Sequence, residues 1–308
     1  MEIKELLERK ADLNARLKLI PYEGTPEIKE VNGNKYIYMR KRIGSRVNST
    51  YLGPYTDTLY DNAQRWNRDF RALKKEIRHI EKQLAEAGFT SSELSPEVIL
   101  NMDYARANLK SSIYDQSVLE GVSTTFPQTA AIIDGGVING MTAEDIQKVL
   151  NLKHAWQFIL DEDMLSYPTN FAVLSHIATL VNEHFFHDGG RIRELPVKIG
   201  GTDWTPSIPD EITVKDTINE IIDGNGSYED KAIRLFMYTV KAQIFNDGNK
   251  RASIIFANHY LISHGAGLMI VPEKHVPEFR KLLVSWYEGT GEDALRIFLR
   301  DKCISRLS

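Results

Sequence analysis

From Glu97 onward, apolar residues recur at helical spacing through 102–118, 142–159, 170–186, 214–223, 228–243, 250–264, 276–287 and 290–299. That period specifies helices that each bury one face. A single stretch breaks the pattern: GRIRELPVKIGGTDWTPSIP, residues 190–209. Its Pro, Gly and Trp content and the short run 196–199 predict a β-hairpin flap between helices. No repeat of fixed period is present. The expectation for 97–308 is a mainly α domain with one flap.

The first 90 residues read differently. Ile3, Leu6, Leu7, Leu13, Leu17 and Ile20 lie near one helical face, and Pro21, Gly24 and Pro26 end it. Residues 35–43 and 46–52, rich in Tyr, Ile, Val and Thr, predict two strands joined at Gly44-Ser45. A long helix follows from Asp57 to about Ala87, with Leu59, Trp66, Phe70, Leu73, Ile77, Ile80 and Leu84 on its apolar side. The reading is a helical hairpin carrying a small β-hairpin, domain 1–90. The stretch GFTSSELSP, 88–96, then serves as a linker.

Charge is unevenly shared. The 308 residues carry a net −4, but residues 1–90 hold 18 Lys/Arg against 13 Asp/Glu, a balance of +5. The strands carry Lys35, Arg40, Lys41, Arg42 and Arg46 among Tyr36, Tyr38 and Tyr51, with no acid between Val31 and Thr56. Such a surface suits nucleic acid. It equally suits docking of an acidic protein, or an edge that cations keep from aggregating. A homodimer is also left open. One cysteine, Cys303, cannot form an internal disulfide. No apolar run approaches the roughly 20 residues that span a bilayer, and the start, MEIKELLERK, is unlike a signal peptide. A cytoplasmic protein with no membrane partner is expected.

The chemistry concentrates in QIFNDGNKR, 243–251. An apolar helix face (Ile233, Phe236, Met237, Val240) leads into the turn formers Asn246, Asp247, Gly248 and Asn249, and a second helix opens near Lys250. A helix start exposes unpaired backbone N–H groups and the positive end of the dipole, which favour an anion. Lys250 and Arg251 add positive charge, and Asp247 suits a divalent cation bridging phosphates. An ordinary capped helix–helix turn has the same local composition.

These nine residues resemble the signature of the Fic (Fido) family, His-x-Phe-x-Asp/Glu-Gly-Asn-Gly/Lys-Arg, at every fixed position but the first. Upstream, Gly190 and Arg193 followed by VKIGG resemble the entry to that family's flap, and YDQSVLEG, 114–121, resembles its inhibitory helix. The resemblance implies a protein adenylyltransferase. Phe245, Gly248, Asn249, Lys250 and Arg251 would bind the nucleotide of ATP, and Asp247 would hold Mg²⁺. Arg193, Val197 and Ile199 would belong to a flap, 190–209, on which a target protein docks by strand pairing. Glu120 and Gly121 would inhibit. AMP would pass to a target Ser, Thr or Tyr hydroxyl.

Departures from the pattern matter. Gln243 stands where the family has its base histidine, and a carboxamide cannot take a proton at neutral pH. Loss of a general base costs about 100- to 10,000-fold. His184 and His187 are the nearby histidines. Lys250 resembles the phosphoryl-transferring, death-on-curing branch. Ile254 stands where regulated members have a second arginine for the inhibitory glutamate, which leaves Arg251 as the partner of Glu120. Gln116 replaces a Ser/Thr. The alternatives to a slow transferase are therefore a non-catalytic binding module and a phosphoryl transferase. The Gly265/Gly267 pair is a helix stop, weak as a dinucleotide motif.

Overall fold

The computed structural model describes residues 3–43, 46–87, 94–136 and 138–306. The chain divides into two compact units, Met1–Thr90 and Ser91–Ser308.

In the first unit, α1 (Ile3–Leu19) and α2 (Asp57–Glu86) accompany a three-stranded antiparallel sheet, β1 (Thr25–Val31), β2 (Asn34–Ile43) and β3 (Arg46–Pro54). The sequence reading gave β2 and β3; β1 is an addition. It is an edge strand, where Pro26 needs no ladder partner for its missing N–H. The β1–β2 turn is Asn32-Gly33, with φ of 52° and 77°. Positive φ at both central residues is what a two-residue hairpin turn requires. The expected Gly44-Ser45 turn lies outside the described residues, as does most of the 88–96 linker. Ile37 and Met39 of β2 pack on Ala63 of α2, with Tyr22, Leu52, Tyr55, Leu59, Tyr60 and Trp66 around them. Leu6, Leu7 and Ala11 of α1 and Ile77, Ile80 and Leu84 of α2 are buried.

The second unit is built from α3 (Pro96–Ala107), α4 (Leu109–Leu119), α5 (Phe126–Ile133), α6 (Ala143–Ile159), α7 (Glu162–Leu165), α8 (Phe171–Val181), α9 (Glu211–Asp223), α10 (Tyr228–Ala242), α11 (Asn249–Ser263), α12 (Val276–Tyr287) and α13 (Glu292–Phe298). A two-stranded pair, β4 (Leu268–Met269) and β5 (Ile304–Ser305), closes the C-terminal end. The fold is mainly α. Two helices stand where periodicity gave one, 102–118, because Asn108 leaves helical geometry and its side chain bonds back to Tyr104 O at 2.9 Å. α5, started by a Thr125/Gln128 capping box, was not anticipated.

α11 is the axis of this unit. Every residue from Arg251 to Ile262 is buried, so it has no polar face. Its buried polar side chains are hydrogen-bonded: Asn258 exchanges two bonds with the Met269 backbone, at 2.7 and 2.8 Å. His259 is fully enclosed; its Nε2 donates to Met164 O and its Nδ1 accepts from Thr169 Oγ1, each at 2.8 Å. Burial lowers the His259 pKa to about 4.

Residues 190–209 correct the expectation of a β-hairpin: they form an irregular loop without strands. Pro196, Pro206 and Pro209 lack ladder donors. Arg193, 1% exposed, donates instead to the carbonyls of Leu195 (2.8 Å), Pro206 (3.5 Å) and Ser207. No helix among the described residues is long and apolar enough to cross a membrane.

Candidate active site

α10 ends at Ala242, and Gln243 caps it in the left-handed region, φ 45° and ψ 59°. That conformation costs a non-glycine residue about 1 kcal/mol or more and needs support. The support is visible. Gln243 Nε2 donates to Val240 O at 2.7 Å, and its Oε1 accepts from Asn249 Nδ2 at 3.2 Å. Its main-chain carbonyl accepts from Arg193 Nε, and Ile244 O accepts from the Arg193 amide. Gln243 is therefore a brace of the turn, and its amide groups are engaged within the protein.

Asn249 clamps the other side. Its Oδ1 accepts from Phe245 N (2.9 Å) and its Nδ2 donates to Phe245 O (2.7 Å). Phe245 itself is 1% exposed. The side chains of Phe245 and Asn249 thus shape the loop from within. Gly248, at φ 73°, is required twice: a Cβ there would lie 2.7 Å from Asn182 Oδ1. Asn182 donates to Asp247 O at 2.9 Å and Gly189 O at 3.2 Å, joining the turn to the end of α8. Gly248 offers no side-chain cap to α11, so the first-turn N–H groups have no acceptor of that kind.

The charged groups meet at this helix mouth. Arg251 donates to Val181 O (3.0 Å) and pairs with Asp247 Oδ2 (2.9 Å). The Glu120 carboxylate lies between two cations, 3.7 Å from Lys250 Nζ and 3.8 Å from Arg251 Nε. α4 delivers it there. Gly121, at φ 79°, ends α4 with Gly121 N–H donating to Val118 O and Val122 N–H to Ser117 O, both at 3.0 Å. Gln116, 2% exposed, donates to Arg251 O and accepts from Trp156 Nε1, each at 2.9 Å, which locks α4 against α11. Ile254 is buried and carries no charge to the site.

The two Glu120 ion pairs are loose. Arg251 Nε and Glu120 Oε1 are buried and without a hydrogen-bond partner. A buried donor left unbonded costs about 1–3 kcal/mol, and an arriving anion would satisfy Arg251. Asp247 keeps 54% of its side chain exposed, which suits a cation whose remaining ligands come from phosphate and water. Among the described residues no group of three or more His, Cys, Asp or Glu forms a metal cage. The helix mouth thus offers a donor for an anion at Arg251 and an exposed carboxylate for a cation at Asp247, with the Glu120 carboxylate beside the same arginine.

The loop residues are placed as follows. Arg193 ties the loop to the turn; Val197 and Ile199 are half-buried in irregular backbone. His184 and His187 stand exposed, and His187 pairs with Asp188 at 2.9 Å. Sequence reading missed Tyr287. Its hydroxyl donates to Val240 O at 3.4 Å, its ring stacks on Trp204 at 5.4 Å, and Lys241 lies 4.6 Å over Trp286. Burial raises the Tyr287 pKa strongly, a hydrogen bond with Gln243 lowers it, and Glu120 raises it. A tyrosine at a helix end gives no sequence signal of such a role.

Residues 168–261 match the family model Fic/DOC family. This part of the chain belongs to the Fic/DOC family. Residues 2–61 match a second one, Domain of unknown function (DUF6788). No curated protein matches the chain. Among solved structures, Fic-1 (residues 134–508) from C. elegans is similar at 19% identity and TM-score 0.54, over 79% of this chain and 77% of that one. A Fic-domain-containing signalling protein from Bacteroides thetaiotaomicron matches at 17% and 0.54, over 70% and 88%. A Fic family protein from Desulfovibrio desulfuricans matches at 15% and 0.52, over 69% and 74%. At these identities the likeness concerns the fold. Membership of the Fic/DOC family supports a nucleotide-transfer type of function in general.

Proposed function

We propose that the second unit binds Mg-ATP at the mouth of α11 and is a severely slowed adenylyltransferase acting on hydroxyls of a target protein. The observation that carries this reading is the buried Arg251 Nε, without a hydrogen-bond partner, beside the uncapped start of α11. In this reading the α11 amides, Lys250 and Arg251 hold the phosphates. Asp247 would hold magnesium, which supplies charge neutralisation on the phosphate oxygens. Glu120 is displaced by the nucleotide and restrains binding. A target segment docks along 190–209, near Val197 and Ile199, with the loop fixed by Arg193.

Gln243 sets the rate. Its oxygen, which already accepts from Asn249, has a second lone pair to offer a target hydroxyl, but it cannot keep the proton. The same engagement of the amide favours a second reading, a nucleotide-binding module without turnover. Incubation with α-³²P- and γ-³²P-ATP in cell lysate separates these. The expected result is label from the α position that rises roughly 100-fold or more in Gln243→His. Binding of ATP without label in either protein favours the module. Label from the γ position alone establishes phosphoryl transfer. Arg251→Ala should weaken ATP binding at least about tenfold; unchanged affinity would mean the turn is only structural.

A further inference from the structure

The first unit presents a sheet face that its own core does not use. Alternation along β2 buries Ile37 and Met39 and turns Tyr36, Tyr38 and Arg40 the other way. The register sets Tyr51 of β3 across from Tyr38, and Lys29 of β1 across from Tyr36, on that same face. The three phenol rings form one cluster, with centroids 5.4 Å apart for Tyr38–Tyr51 and 6.1 Å for Tyr36–Tyr51. The Lys29 ammonium lies 4.7 Å over the Tyr38 ring. Tyr51 keeps 51% of its surface exposed. Arg40 faces Thr25 and Ser49 across the strands. Glu27 is the one acid opposite this row, and it pairs with Lys29 at 3.8 Å.

A second feature borders the same sheet. Arg68, Arg71, Lys75, Arg78 and Lys82 are exposed along α2. Their spacing of three and four residues aligns them in one stripe, roughly 21 Å long at the helical rise. The acids Glu76 and Glu81 of α2 are engaged by Arg9 and Lys10 of α1. Arg71 Nη2 reaches Thr25 Oγ1 of β1 at 3.4 Å, so stripe and sheet meet at that strand.

We infer that this unit binds single-stranded nucleic acid, with bases stacked on the Tyr36/Tyr38/Tyr51 face and phosphates along Lys29, Arg40 and the α2 stripe. Cations alone would accept any polyanion. The exposed Tyr51 ring, with half-buried Tyr36 and Tyr38 beside it, favours bases with free faces, which only an unpaired strand offers. This function is separate from transfer chemistry in the second unit and does not depend on it.

The test uses the full chain and fluorescence anisotropy with labelled oligo-dT, oligo-U, a duplex and polyglutamate at rising salt. Single strands should bind most tightly, with affinity falling as salt rises. Replacing Arg68, Arg71 and Arg78 together by Ala should lower the log–log salt slope by about 2. Tyr51→Ala should weaken single-strand binding about tenfold and leave the slope unchanged. Circular dichroism melting confirms that both variants fold. Absence of salt-sensitive binding overturns the inference, as does equal affinity for duplex or polyglutamate, or a Tyr51→Ala protein that binds like the parent.

Discussion

The first unit and the turn site of the second hold charge in different ways. In the first, the ion pairs sit in water: Arg9–Glu76 has side chains 52% and 43% exposed, and Lys41–Glu23 has both at 40%. Asp12, held by Arg16 at 2.9 Å, is the buried exception. In the second, Arg193 and Arg251 are almost fully enclosed, and Glu120 keeps 15% of its side chain exposed. Exposed charges are screened by salt and matter for what approaches the surface. Enclosed charges dictate geometry, because each must be bonded or compensated. The difference separates a surface of solvated, screened charges from a site whose shape depends on its ions.

The sharpest break of that comparison is Arg193→Ala. It removes a guanidinium that binds the carbonyls of Leu195, Pro206, Ser207 and Gln243 and takes one donor group from all four at once. A loss of about 4 kcal/mol is expected by urea unfolding. Arg193→Lys should recover only part of it, because one ammonium cannot span a planar fork of carbonyls. A loss under about 1 kcal/mol would mean that the loop does not need its buried cation.

His259 gives the next effect, through pH. Its folded pKa is about 4, below the ordinary imidazole value of 6.5. Above pH 6.5 both folded and unfolded chains are neutral there, and nothing is lost. As pH falls below 6.5 the unfolded chain takes up a proton that the folded one refuses, so stability drops until about pH 4. The slope is about 1.4 kcal/mol per pH unit, or about 2 kcal/mol by pH 5. Urea titrations at pH 7.5 and 5 should show this extra loss in the parent and not in His259→Gln. Equal pH dependence in the two proteins would remove His259 from the account.

How much of this was legible in the sequence varied by element. The order Gln243 to Arg251 announced both the turn and the family, since turn formers and a following apolar helix are local signals. What braces the turn was not legible, because the partners are remote in sequence: Asn182 on Asp247 O, Arg193 on Gln243 O, Tyr287 beside Gln243. That the Asn249 side chain clamps Phe245 from within was likewise not legible, since sequence does not say which way a side chain points. β1 went unread although Asn32-Gly33 is a strong hairpin signal, because Pro26 and the charges Glu27, Lys29 and Glu30 blur the alternation of an edge strand. The 190–209 loop was misread for the converse reason: Gly, Pro and a short apolar run mark irregular chain as readily as a hairpin.

The smallest effect should come from the first unit. Arg9 donates to Glu76 through both Nε (3.1 Å) and Nη2 (2.7 Å), a well-formed contact by distance alone. Both partners are about half exposed, however, so water solvates each charge when they separate and salt screens them when they meet. Ordering two long side chains offsets much of the remaining attraction. Arg9→Ala should therefore change stability by less than about 1 kcal/mol, and a double-mutant cycle with Glu76→Ala should give a coupling that fades in high salt. A salt-insensitive coupling as large as the Arg193 effect would mean that this pair is shielded from water, and the contrast between the two units would fail at that point.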